Sequence, residues 1–444
     1  MEASVQQATR GFTREAVEEL SRARQEPDWL LRRRLEAWEQ FEAIPMPVRT
    51  DEEWRRTDIR RLPLNQVEPI VAALAPVPGA ELPAELASRT GERAQRSGLI
   101  VQRDGSTIYH ELDDELASQG VIFSDIEQAA REHPELIQRY FMTDCVAPGD
   151  NKFAALNGAF WSGGTFLYVP AGVRIEHPLR TLVNAATPGS GIFPHTLLVA
   201  EEGSQVTLVE TWASPTTEQP VLAAPVIEIF AGEATEVRYV QFQDWGRQVW
   251  NFSNQRALVQ QDAQMNTLNV ALGARLSKSF ITDALVGAGA QGEMLGLFFA
   301  DETQHLDHTT RQMHVSPYAT SDLLFKGALK DRARTVYSGL IKVFPGAQRT
   351  DAYQANRNLV LSRTARADTI PNLEIGANDV RCTHGATVGQ VEDEYVFYLM
   401  SRGINRTEAV KLIVDGFFDE VTERVPVPEV QDEVRAAIAR KIGL

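Results

Sequence analysis

The chain changes texture twice along its length. Up to about residue 145 the apolar positions recur at helical spacing. In EPDWLLRRRLEAWEQFEAIP they fall at Leu31, Leu35, Trp38 and Phe41, the repeat of one helix face. Pro27 stands near the start, where its missing N–H costs nothing. Arg32, Arg33 and Arg34 are expected on the solvated face. SDIEQAAREHPELIQRYF predicts a further helix, with Ser124 as N-cap and Glu127 three residues on, the capping-box spacing. PVPGAELPA, residues 76–84, reads as linker.

From about 150 to 390 the pattern becomes one of short β-rich runs, broken by Gly, Asn, Asp and Pro. TFLYVP, HTLLVA, QVTLVE, EVRYVQF, MNTLNV, LGLFFA and NLVLS are examples. No long amphipathic helix separates them, which argues against a βαβ sheet. The remaining choices are a large barrel or sandwich, a propeller or a β-solenoid. No blade-length motif repeats, which weakens the propeller. A solenoid would end in open strand edges that need covering.

After residue 393 the helical pattern returns. Gly403 is placed as a C-cap, Asn405 as an N-cap with Glu408 three residues on. The helix that follows is expected to bury Ala409, Leu412, Ile413, Phe417 and Val421, and Pro426 and Pro428 end it. A last helix carries Val430, Val434, Ile438 and Ile442 in one stripe. These textures divide the chain into a helical region 1–149, a β core 150–392 and a helical region 393–444.

Charge and cysteine content narrow the function. The chain has 444 residues and a net charge of −16, which argues against nucleic acid and anionic membranes, since binding phosphates needs a basic footprint. Its two cysteines, Cys145 and Cys382, cannot make a disulfide framework, so a reducing cytoplasm is expected. No apolar leader or 18-residue apolar run appears, so no signal peptide or membrane span is expected. Cys145 is expected to be a buried structural thiol.

Candidate chemistry concentrates near the end of the β region. Val380, Cys382, His384, Ala386 and Val388 alternate with Arg381, Thr383, Gly385 and Thr387. In a strand Cys382 and His384 would share a face, with Cα atoms roughly 6.5–7 Å apart. That suits two ligands of one metal or cluster. It equally suits a packed thiol beside a hydrogen-bonded imidazole. HLDHTTRQMH, with His305, Asp307, His308 and His314, suggests a metal site, but a strand would put His305 and His308 on opposite faces. GAGAQG, residues 287–292, formally matches GxGxxG, yet no Rossmann helix follows and a turn between strands fits better. GARLSKS, residues 273–279, resembles a phosphate loop, but Leu272 and Ser277 stand where its glycines are needed. No GxSxG or HExxH occurs.

The run from Asp331 onward, DRARTVYSGLIKVFPGAQRTDAYQANRNLVLSRTARADTIPNLEIGANDVRCTHGATVGQVEDEYVFYLMSRGI, resembles the C-terminal half of the SufB/SufD family of iron–sulfur cluster assembly subunits. EAVKLIVDGFFDEV, EEWRRTDI and NGAFWSGGTFLYVPAGVRIEHPL extend the resemblance over most of the chain. It implies a mainly β fold, a right-handed parallel β-helix with α-helical N-terminal and C-terminal segments. It also implies a non-enzymatic scaffold that pairs with a sister subunit and docks a SufC-like ATPase. Gly385 after the histidine, Asn356 where SufB-like chains carry cysteine, and Cys382 two residues before the histidine resemble the SufD branch, so the implied partner is SufB-like. The resemblance assigns the functional role to His384, with Cys382 as auxiliary ligand. It places ATPase docking on the terminal helices, with Leu412, Ile413 and Phe417 supporting the surface and Asp415 and Glu420 at its rim.

Four ligands usually hold an iron–sulfur cluster, and this chain offers two together. A transient cluster or iron would therefore be shared across an interface, with none held stably by this chain alone. In isolation the same edge could pair with a second copy. Two other readings stand beside this one. One is a structural ATPase adaptor without metal contact. The other is a β-helix polysaccharide-acting enzyme, disfavoured by the lack of an acid cluster or a leader.

Overall fold

A computed structural model describes residues 11–72 and 82–442. Most of the linker expected at 76–84 lies outside the described residues. The core is a parallel β-solenoid of about eight turns, with helices at both termini. Successive strands alternate between two sheets, and each pairs in parallel with the strand one turn away. Gln264, Gln291, Thr320, Asp351 and Arg381 stack at one register position, so a turn takes about 30 residues, within the repeat length of solenoids. The strand pattern read from sequence is thus realised, down to strands such as His195–Ala200.

Alternation within each strand sends one side-chain set into the solenoid and the other onto its outer faces. Both faces are covered, so the strands read as near-continuous apolar runs. Val240, Leu268, Leu295 and Leu324 face outward from one sheet and meet Val414, Phe418, Val421, Val434 and Ile438 of the C-terminal helices. On the other sheet Phe252 and Phe280 meet the N-terminal segment. There Trp54 packs at 5.8–6.2 Å from Phe153, Phe252 and Phe280. Thr57 donates to Asp307 and lies 2.9 Å from His305 Nε2, while Lys278 Nζ lies 2.8 Å from Asp307. The EEWRRTDI motif is therefore a strap that ties the amino-terminal region to the solenoid.

Residues before 150 also supply strands. Gly98–Arg103 and Ser106–Leu112 end one sheet, and Ile122–Asp125 ends the other. Ser124 therefore lies in a strand, and Asp125 caps the helix Ile126–Glu132 by accepting from Glu127 N at 2.8 Å. Pro134 disfavours helical geometry at the residue before it, and His133 leaves it at φ −130, ψ 51. The predicted single helix is consequently split into Ile126–Glu132 and Pro134–Tyr140.

In the helix Asp28–Ala43 the buried face is Leu30, Arg34, Ala37 and Trp38, rotated from the predicted stripe. Arg34 is fully buried, not solvated. It pairs with Glu26 at 2.5 Å, donates to Ala159 O at 3.1 Å and lies over the Trp161 ring at 4.2 Å. A guanidinium can be buried when its donors and planar face are all matched. Cys145 is buried as expected, its thiol donating to the Arg256 carbonyl at 3.2 Å.

The solenoid interior is unusually polar. Asp283 is fully buried there and neither carboxylate oxygen has a partner among the described residues. Burial alone pushes its carboxyl up to about 7, because a buried charge loses its hydration. A carboxyl raised on folding contributes stability below its unfolded value and loses it as pH rises through the folded one. The buried neutral histidines of the interior impose the opposite slope, so the test is a difference: relative to Asp283→Asn, the thermal midpoint of the parent chain should fall as pH rises from about 4 to about 7. An unchanged slope in the variant would show that Asp283 does not carry this difference.

Candidate functional site

The site is built by the way the solenoid ends. Arg366–Ile375 pairs only with Arg334–Val343, and Arg381–Gln390 only with Asp351–Val360. Each is the last strand of its sheet, so one backbone edge of each has no neighbour among the described residues. Burial drops with it. Positions in Asp351–Val360 are largely buried, whereas Arg381–Gln390 is exposed except at Cys382 and Gly385.

Register fixes where each side chain points. His384 stacks on Gln354, Leu323 and Met294, and Cys382 on Ala352, Ser321 and Gly292. These positions face the interior, so Cys382 and His384 lie on one inward face, as the alternation predicts. They form the rim of an interior that has no further turn above it among the described residues. Gly385 stacks instead on Ala355, Leu324 and Leu295, the outward column covered by the C-terminal helices.

The two side chains differ in environment. Cys382 is half-buried against the cluster of Ile341, Val343 and Ala352. Burial, and secondarily the Asp351 carboxylate, raises its thiol above the ordinary value. His384 is exposed and has no hydrogen-bond partner among the described residues, leaving both ring nitrogens available. No cluster of three or more His, Cys, Asp or Glu side chains able to hold a metal occurs among the described residues. The rim thus offers two donors.

The other histidines serve packing. His305–His314 is a strand, with His305 turned outward to Thr57 and His308 and His314 turned inward. His308 stacks on Phe298 at 4.9 Å, and His314 Nε2 lies 2.8 Å from Ser321 Oγ. Desolvation pushes both imidazoles down to about 4, so they stay neutral. The 287–292 glycine run is a turn between Leu276–Leu285 and Gln291–Ala300. Gly289 has φ +72, a conformation that glycine adopts without strain, and the equivalent turn positions Asp262, Tyr318 and Arg349 are left-handed as well.

Beyond the last strand, the helix Asp393–Ser401 leads through Gly403 (φ +90) into the helix Arg406–Thr422. Asn405 Oδ1 caps the latter by accepting from Glu408 N at 3.0 Å. Its buried residues are Ala409, Val414, Phe418, Val421 and Thr422, not the expected set with Leu412, Ile413 and Phe417. The helix is apolar on two sides, and the sheet takes the Val414–Phe418–Val421 side. Phe417 is partly buried at the edge of that contact, Ile413 is half-buried, and Leu412 is 49% exposed. Glu420 turns toward the sheet, 2.5 Å from Lys326 and 2.6 Å from Arg357, so it is a clamp and not a free rim charge. With Leu412, the outward residues Tyr395, Phe397 (72% exposed), Tyr398 and Met400 leave several large apolar side chains exposed. Periodicity could not reveal which of two apolar sides faces out.

No helix among the described residues is long and apolar enough to cross a membrane. Residues 182–417 match the SUF system iron–sulfur cluster assembly SufBD core domain, and residues 96–181 match the SufBD protein N-terminal region. An iron–sulfur cluster assembly SufBD family protein of Staphylococcus saprophyticus is 33% identical over 433 residues, covering 96% of this chain and 92% of the relative. The iron–sulfur cluster assembly protein SufB of Bacillus subtilis is 31% identical over the same share of both chains. With the core domain spanning the solenoid and its uncovered last turn, the chain belongs to the SufBD family of iron–sulfur cluster assembly proteins.

Proposed function

We propose that this chain is a SufD-like scaffold subunit for iron–sulfur cluster assembly. Its last solenoid turn pairs with the open turn of a SufB-like sister, and its terminal helices carry a SufC-like ATPase. The observation that carries this reading is the uncovered turn with Cys382 and His384 on its inward rim. A bare strand edge invites another strand. Two donors cannot complete a cluster that takes four, so a partner's donors are needed around the cargo. The SufD assignment rests on Gly385, Asn356 and Cys382. Asn356 is buried in the interior and donates to Phe325 O at 3.1 Å, so this position supplies packing where SufB-like relatives carry a thiol.

Within this reading His384 has the larger role. Its exposed imidazole can take iron or a proton directly. The Cys382 thiol, raised by burial and by Asp351, stays protonated at neutral pH until a cation displaces the proton. His384→Ala removes an exposed side chain and leaves every ladder bond in place. It should change stability by less than about 0.5 kcal/mol and leave complex formation intact, while cluster assembly by the full complex falls sharply. Cys382→Ser should reduce it less. Normal iron and sulfide content in a complex carrying His384→Ala would leave only the adaptor role.

The exposed Tyr395, Phe397, Tyr398, Met400 and Leu412 are the docking residues in this proposal, because large exposed apolar groups are costly unless a partner covers them. Half-buried Ile413 and Phe417 support them from below. Phe397→Asp with Leu412→Asp should abolish capture of the ATPase in pull-down, with the unfolding midpoint unchanged. Undiminished capture by that double variant would move docking away from these helices.

A further inference from the structure

The helix Pro428–Ile442 does not seal completely against the solenoid. Between it, the segment around Arg89 and the sheet near Asp244 and Leu272, a cleft opens as two adjoining cavities of about 450 and about 240 Å³. They share Arg89, Asp244, Leu272, Ala437 and Arg440. Together they fall within the volume of small-molecule sites. The cleft is remote in sequence from Cys382 and His384, and nothing in the cluster-assembly reading uses it.

Its two ends differ chemically. Phe242, Leu272, Ala436 and Ala437 line the larger cavity, while Arg247, Arg440 and Lys441 line the smaller. Arg89 pairs with Asp244 at 2.8 Å. Arg247 and Lys441 share one carboxylate, Asp301, at 2.5 and 2.9 Å. Arg440 is exposed and has no partner among the described residues, and Arg247 Nη1 is buried without one. Four cations thus face two carboxylates, in a chain whose net charge is −16. Glu433, two turns before Arg440 on the same helix, is taken up by Arg180 at 2.8 Å.

We propose that this cleft binds a small organic phosphate, with its apolar body against Phe242, Leu272 and Ala436 and its phosphate beside Arg440. The surplus of two positive charges matches a phosphate monoester, which carries about −1.5 to −2 at neutral pH, better than a single carboxylate. Arginine also supplies the planar fork that phosphate oxygens accept. The apolar wall sets the specificity: a ligand without a body would forgo the larger cavity, and one without a phosphate would leave the cations unmatched.

Calorimetric titration of the full chain with 1-naphthyl phosphate tests this. One saturable site is expected, at least about tenfold tighter than for inorganic phosphate or 1-naphthol alone. Arg440→Glu should weaken it by about tenfold or more. Ala436→Trp should block it by filling the apolar half. Arg402→Glu, a charge reversal just past the end of another helix, should leave it unchanged. Circular dichroism and unfolding midpoints check that each variant folds. No saturable heat up to about 1 mM ligand, or equal affinity in Arg440→Glu and the parent chain, would overturn the proposal.

Discussion

A parallel β-solenoid cannot finish its own hydrogen bonding. Each strand is satisfied by the turns before and after it, so the last turn necessarily presents backbone donors and acceptors on one side. In this chain the first turns are closed by antiparallel additions, Ser106–Leu112 on one sheet and Ile122–Asp125 on the other. The last turn, Arg366–Ile375 with Arg381–Gln390, has no such cover among the described residues. Everything distinctive about the candidate site follows from that asymmetry. The inward column that holds Leu323 and Gln354 deep in the core emerges at the rim as His384.

The two helical termini act as covers for the broad faces, and buried charge locks them in place. At the amino end, the pairs Arg34 with Glu26 and Lys278 with Asp307 are almost wholly buried, and each is bonded to a further segment, Arg34 donating to Ala159 O and Asp307 accepting from Thr57. Breaking such a pair leaves an uncompensated charge, which is far costlier than the pair is worth. The carboxy end uses partly exposed clamps, Glu420 to Lys326 and Arg357, and Arg424 to Glu293 and Asp322. These reach as far as Asp351–Val360 and stop. The last strand, Arg381–Gln390, is left exposed on its outer face as well as its edge.

The polar interior sets a second constraint. Solenoid interiors are usually apolar stacks, yet here His308, His314, Gln354 and Asp283 point inward. Desolvation keeps the histidines neutral and favours a protonated Asp283. Burial thereby disfavours charge along the interior.

The strand-rich middle, the helical ends, the Asn405 cap and the shared face of Cys382 and His384 were all legible in the sequence. Each depends on local periodicity or on one or two neighbouring residues, and period-2 alternation holds whatever the partner strand. The sense of each helix face was not legible. Leu412, Ile413 and Phe417 form as good a stripe as Val414, Phe418 and Val421, and only the sheet's outward Val240, Leu268 and Leu295 chose between them. Arg34 read as solvated because burial of a guanidinium depends on Glu26 and Trp161, which the fold brings together from eight and 127 positions away. Likewise, sequence placed Cys382 and His384 on one face, but only the stacking of turns decided that this face is inward and that no turn lies above it. Local chain geometry is written in neighbouring residues, whereas burial is a property of what packs against them from elsewhere in the chain.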